Sequence, residues 1–136
     1  ERFGTLGKLK EEMRDLLLRL MKLVEDNKNV KFKGMILTAI RYMEEHYREE
    51  ISQADVAAVV YVTPNYLSRV FKEETGVNFI EWLNRYRIEK AKQLLAEPGA
   101  KTSIVAEKVG FSDYKYFSHI FKRYAGCAPK EYRESR

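Results

Sequence analysis

The segment VTPNYLSRVFKEETG, residues 62–76, returns further along the chain as SDYKYFSHIFKRYAG, residues 112–126. The chain therefore holds two copies of Tyr-(Leu/Phe)-Ser-X-X-Phe-Lys, each closed by a glycine. A solenoid stacks three or more repeats to bury a shared core, so one duplication points to two equivalent lobes with two equivalent contacts. From Tyr61 to Leu83 the offset between the copies is a constant 50, matching Tyr66 with Tyr116, Ser68 with Ser118, Phe71 with Phe121, Lys72 with Lys122 and Gly76 with Gly126. Upstream the better offset is 49, pairing Ala57 with Ala106 and Val60 with Val109. The second copy thus has one more residue in its turn, and Gly110 sits there.

Each copy carries the punctuation of two short helices at a tight turn. Ser52 with Asp55 three positions on is an N-cap signature of the capping-box kind, opening a helix to about Val60. Thr63-Pro64 restarts the chain, with Thr as the cap and Pro at the first helical position, where its missing N–H costs nothing. Gly76 ends this second helix. "NFIEWLNRYRIEKAKQLLAE" then reads as the longest helix, about 78–97, roughly 30 Å at 1.5 Å per residue. "PGAKTS" breaks it and the pattern repeats: a short helix 102–109, Gly110 in the turn, a new start at Ser112-Asp113, a helix to Tyr124, Gly126 as C-cap and a last turn after Pro129. Short helix, tight turn, new helix is helix-turn-helix geometry. The predicted fold is all-α: two helix-turn-helix lobes, about 52–76 and 102–126, joined by a long central helix and preceded by an extra N-terminal amphipathic helix.

The N-terminal third has a different rhythm. Over 5–27 the apolar residues Leu6, Leu9, Met13, Leu16, Leu20 and Leu23 alternate spacings of three and four, a heptad seam that can zip against a second copy. Leu17, Leu18, Met21 and Val24 widen the stripe, which fits a plain packing helix as well, so a homodimer through residues 5–27 and simple packing both remain open. "NKNVKFKG" at 27–34 is polar and ends in glycine, and is predicted to be a hinge. A helix over 34–48 should bury Ile36, Ile40, Met43 and Tyr47. These signals divide the chain into an N-terminal helix and linker, 1–33, and a repeat-bearing domain, 34–136. The chain opens at Glu1 with neither an initiator Met nor a signal-like segment, and reads as a piece of a longer protein.

Helical periodicity sorts each repeat onto two faces. Leu67, Val70 and Phe71, with Phe117, Ile120, Phe121 and Tyr124, form core stripes. The opposite stripe holds Asn65, Ser68, Arg69 and Lys72 in the first copy, and Lys115, Ser118, His119 and Lys122 in the second. Every one of those eight can hydrogen-bond, and none is acidic; Glu73 and Glu74 lie beyond the first stripe. A helix entering a major groove needs donors at base edges and must keep carboxylates from phosphates. Net charge is +5, and most of the excess lies in the repeat-bearing part: Lys and Arg outnumber Asp and Glu by four over 51–136 and by one before it. A basic balance suits a polyanion.

Other chemistry finds little footing. Two distant histidines and one cysteine make no ordinary zinc site, and neither GxxxxGK[ST] nor GxGxxG occurs, so no enzyme, metal or cofactor is expected. Cys127 has no partner for an internal disulfide, and no apolar run approaches the length of a membrane span, so no membrane contact is expected and a reducing cytoplasm is the predicted compartment. Trp82, with Phe79, Leu83 and Tyr86, is expected in the core; Tyr66 and Tyr116 are expected packed beside it; Arg87 is expected to donate hydrogen bonds within the domain; and His46 is expected on a helix surface.

"PNYLSRVFKEETG", "RYRIEKAKQLL", "VGFSDYKYFSHIFKRYAG" and "APKEYR" together resemble the DNA-binding domain of the AraC/XylS family of bacterial transcription regulators, over about residues 34–134. The resemblance implies a seven-helix domain that binds double-stranded promoter DNA and usually activates transcription, with RNA polymerase as a further partner. It implies base-reading positions at Asn65, Ser68 and Arg69 in one recognition helix and at Tyr114, Lys115, Ser118 and His119 in the other. Lys72, Lys122 and Arg123 would meet phosphates, along with amides at helix N-termini. His119 stands where the family most often has arginine, and Cys127 where a small hydroxyl residue is common. The helical segment ahead of the domain resembles response regulators, of the YesN kind, or membrane sensors that carry this output domain.

Overall fold

The computed structural model describes residues 2–135, with side chains left aside at 2–6, 25 and 27–31. The described residues form seven helices: α1 (Arg2–His46), α2 (Gln53–Val59), α3 (Pro64–Thr75), α4 (Phe79–Leu95), α5 (Thr102–Lys108), α6 (Tyr114–Ala125) and α7 (Pro129–Glu134). The chain divides into two compact units, Glu1–Met35 and Ile36–Arg136.

In the first unit the backbone is helical throughout its described length, and α1 runs on to His46. The expected hinge at 27–34 is helical instead of open. Lys, Phe and Val are ordinary helix residues, no proline interrupts, and a lone Gly34 costs only about 1 kcal/mol against alanine. Leu9, Met13, Leu16, Leu17, Leu18, Leu20, Met21, Leu23 and Val24 are all exposed, between 50% and 67%. Leu6, the first residue of the predicted seam, lies outside the residues whose side chains are described.

In the second unit the last turns of α1 bury Ile36, Ala39 and Met43, with Ile40 half-buried, and Tyr47 is buried just past the helix end. Ala39 joins a stripe that sequence periodicity had drawn from the larger side chains. The two lobes follow as α2–α3 and α5–α6. In α2, Ser52 accepts from the Asp55 amide and Asp55 accepts from the Ser52 amide, the predicted capping box. Thr63 accepts from the Tyr66 amide at 3.3 Å, with Pro64 at the first position of α3. Asp113 caps α6 by accepting from the Lys115 amide at 3.0 Å. Gly76 and Gly126 end α3 and α6 at φ +82° and +85°, the left-handed conformation that glycine adopts without a side-chain penalty.

Between the lobes lies α4, capped by Asn78 and 17 residues long, hence about 25 Å; contrary to expectation it is not the longest helix, because α1 runs without a break for 45 residues. It is shorter than the predicted 78–97 because Asn78 remains extended as the N-cap and Ala96 closes the other end. Its Phe79, Leu83, Ile88, Ala91 and Leu95 are buried, and Phe79 meets Phe71 of α3 edge-on at 6.4 Å. Trp82 differs from expectation: it is half-buried, stacked on Tyr86 at 5.2 Å and edge-on to Phe71. An indole in that position keeps one edge in solvent. Tyr116 also differs, being 44% exposed with its hydroxyl held by Asn84.

Candidate nucleic-acid interface

Amphipathicity positions the polar stripes. With Leu67, Val70 and Phe71 buried on one side of α3, the 3.6-residue period turns Asn65, Arg69 and Lys72 outward; all three are exposed and Ser68 is half-buried. In α6, burial of Phe117, Ile120 and Phe121 does the same for Lys115, His119 and Lys122, with Ser118 half-buried. The repeat register of the polar stripe thus survives in three dimensions: its matched residues, Asn65 with Lys115, Ser68 with Ser118, Arg69 with His119 and Lys72 with Lys122, share matched exposure. Tyr114 and Arg123 are exposed at the margins of the second stripe.

Several of these side chains have neighbours that shape what they can do. The Arg69 guanidinium lies 5.3 Å from the centre of the Tyr66 ring, one turn back on α3, a cation–π contact that narrows the range of a long side chain. The Tyr114 hydroxyl donates to Thr102 Oγ1 at 3.1 Å, tying the first turn of α6 to α5. That bond leaves the ring of Tyr114, more than its hydroxyl, for an external contact. Arg123 lies 5.8 Å from the Tyr124 ring, and Arg85 of α4 lies 5.4 Å from the same ring. Lys72 falls in the last turn of α3, and Lys122 and Arg123 in the last turn of α6, where a cation also complements the helix dipole.

The structure adds residues that pattern alone passed over. Asn84 is a buried polar residue of α4, and its Nδ2 donates to the Tyr116 hydroxyl at 3.1 Å, fixing α6 on the linker helix. Its signal in the sequence was faint, an amide on the apolar side of α4. Arg87 donates to the Tyr47 carbonyl and to the Glu49 carbonyl, each at 2.9 Å, in keeping with the expected structural role. Burial lowers its pKa from the ordinary arginine value. His46 stacks on Tyr42 and meets Glu49 at 2.9 Å on a half-exposed surface.

Two helix pairs, the second helix of each capped and showing an acid-free polar stripe, and a helix between them define the class of a tandem helix-turn-helix domain. A helix-turn-helix domain model matches residues 56–135, more than half of the chain. The chain belongs to the AraC/XylS family of helix-turn-helix proteins. It is 38% identical over 96 residues to the uncharacterized HTH-type transcriptional regulator YisR of Bacillus subtilis, an alignment covering 71% of this chain and 33% of that one. The chain spans about a third of the length of the curated relatives it matches. Among solved structures, the C-terminal domain of AraT, a response regulator from Geobacillus stearothermophilus, superposes with a TM-score of 0.72 at 36% identity, covering 75% of this chain and 85% of that one. The DNA-binding domain of AdpA, solved in complex with a target DNA, superposes with a TM-score of 0.70 at 26% identity, covering 74% and 90%.

Proposed function

We propose that residues 34–136 bind double-stranded promoter DNA sequence-specifically as the output part of a transcription regulator, with α3 and α6 as recognition helices in successive major grooves. The observation that carries this reading is the recurrence of an exposed, acid-free donor stripe at the same register on two capped helices. Asn65, Ser68 and Arg69 read one segment; Tyr114, Lys115, Ser118 and His119 read the other; Lys72, Lys122 and Arg123 clamp phosphates. Successive grooves on one face of a duplex are about 34 Å apart, so one chain covers two short segments about one helical turn apart. The likeness to a domain solved on its target DNA supports the partner. The work done is binding and not catalysis, in the cytoplasm, and its outcome is activation through contact with RNA polymerase.

Salt titration tests the partner. If several phosphates are neutralised, affinity for a duplex falls linearly on a log–log plot with a slope of about −0.9 per phosphate contact. A response as flat as that of an apolar interface would overturn the DNA reading. A promoter–reporter assay tests the sign, since activation requires more transcript with the chain than without it.

The N-terminal helix has a different partner. Its seam over 5–27, with nine exposed apolar residues from Leu9 to Val24, is assigned to pairing with a second copy of the chain. Residues 8–26 carry five basic and five acidic side chains, so two copies meet without net repulsion, whereas a membrane-surface helix would favour an excess of cations. Sedimentation should show a dimer that Leu16→Lys with Leu20→Lys converts to monomer; a monomer before the substitution would exclude pairing. Among the described residues no helix is long and apolar enough to cross a membrane.

A further inference from the structure

We propose that Arg87 is a positioning residue that sets the angle between the two lobes, by fastening the strap that leads into the first lobe onto α4 and against the turn of the second. This rests on the reading that both recognition helices engage one duplex. The strap is Tyr47–Glu50, between the end of α1 and the start of α2. Two of its carbonyls, those of Tyr47 and Glu49, accept from Nε and Nη2 of Arg87 at 2.9 Å each. These groups lie just past the end of α1, where carbonyls lack intrahelical donors. A guanidinium is a planar fork with fixed N–H directions, so it can hold two carbonyls at once, which an ammonium point charge cannot do with the same geometry.

The second lobe closes on the same spot. Arg87 lies 5.6 Å from the ring of Phe111, directly after the turn of α5–α6. A Cβ placed on Gly110 would stand 2.5 Å from the Tyr47 carbonyl oxygen and 2.9 Å from Arg87 Nε. The turn of the second lobe therefore presses its backbone onto the carbonyl that Arg87 binds, and only the missing side chain permits it. Tyr47 and Tyr86 meet edge-on at 5.1 Å beside this contact.

The consequence is mechanical. The first lobe is joined to α4 through the short link from Gly76 to Asn78 and by the edge-on contacts of Phe71 with Phe79 and Trp82, all at one end of α4. The strap is a further attachment at a different place, and it restrains rotation about the first. The turn glycine of the second copy then has a use: it lets the lobes touch. In the first lobe's turn, Tyr61 also has a positive φ but is 95% exposed.

The test needs no DNA at its first stage. Spin labels at Glu74→Cys and Glu107→Cys, on a Cys127→Ser background, report the distance between lobes. The parent protein should give one narrow distribution, and Arg87→Met or Arg87→Lys should broaden it about twofold while far-ultraviolet circular dichroism is unchanged. A distribution that stays narrow in a folded variant overturns the proposal. Loss of helical signal in both variants also overturns it, because Arg87 would then hold the fold and not the angle. The second stage uses the duplex recovered by selection from a random pool, with one base pair inserted between its segments. Insertion should weaken the parent about tenfold and the folded Arg87 variants less than about threefold. Narrow label distances with no penalty for insertion in the parent would remove the two-groove reading and leave the clamp standing.

Discussion

The two lobes share a motif and solve its local problems differently. The first leans on capping: a full box at Ser52 and Asp55, Thr63 at the start of α3, and Gln53 Nε2 reaching the Pro64 carbonyl at 2.6 Å. The second starts α5 at Lys101 with no side-chain cap. It relies on packed rings and tertiary hydrogen bonds. The rings of Phe111, Phe117, Phe121 and Tyr132 form a chain with successive centres 5.2 to 5.7 Å apart, and Tyr114 and Tyr116 hydrogen-bond with Thr102 and Asn84. Their turns contrast as well, Tyr61 at φ +59° against Gly110 at φ +100°. Both lobes have caps and a core, and one repeat can thus draw more on its ends or more on its packed rings while the polar stripe diverges, Arg69 against His119.

Exchanging the turn residues should give the widest separation between the lobes. Gly110→Ala is expected to cost about 3 kcal/mol in urea denaturation, from backbone strain and contact with the Tyr47 carbonyl, while Tyr61→Gly should gain up to about 1 kcal/mol by relieving a left-handed tyrosine. Equal effects at both positions would erase the contrast. On DNA, Arg69→Ala should lose about 1–3 kcal/mol and relax preference at one base position, and His119→Ala should lose less. A uniform loss across all sequences would make Arg69 a phosphate clamp. Among the caps, Ser52→Ala should cost about 1 kcal/mol, against less than about 0.5 for Lys101→Ala.

The smallest effect is acid-sensitive and confined to the first lobe. Hydrogen bonds from the Ser52 backbone amide, and then from its side chain, hold the Asp55 carboxyl below its ordinary value. A depressed folded-state pKa gives stability that is present above the unfolded pKa and is lost as pH falls through the folded one. The melting-temperature difference between the parent and Asp55→Asn should therefore be full near neutrality and close in acid below the usual carboxylate range. A difference independent of pH would remove the charge from the box.

Much of this was legible from local signals. Ser52, Thr63-Pro64, Asp113, Gly76 and Gly126 announce helix ends because caps act over three or four residues, and the core stripes follow from periodicity. Eight of the side chains proposed to meet DNA come from the same wheel, whereas Tyr114 and Arg123 enter only through the family resemblance. What escaped depends on contacts distant in sequence. Tyr47, Arg87 and Gly110 converge only when three segments pack, so Gly110 looked like turn chemistry alone. Trp82 reads as core by composition, yet keeps an edge in solvent because Tyr86 and Phe71 cover only part of it. The segment 27–34, expected to be a hinge, has a helical backbone because polar composition without proline weakens a helix but does not stop it.

The central claim is that two unlike stripes read two unlike segments on one duplex. Selection from a random duplex pool, followed by sequencing of the bound fraction, tests it most directly. Two different short segments, with centres about 10–10.5 base pairs apart, are predicted. A single segment, two identical ones, or a bound pool without sequence preference would contradict it.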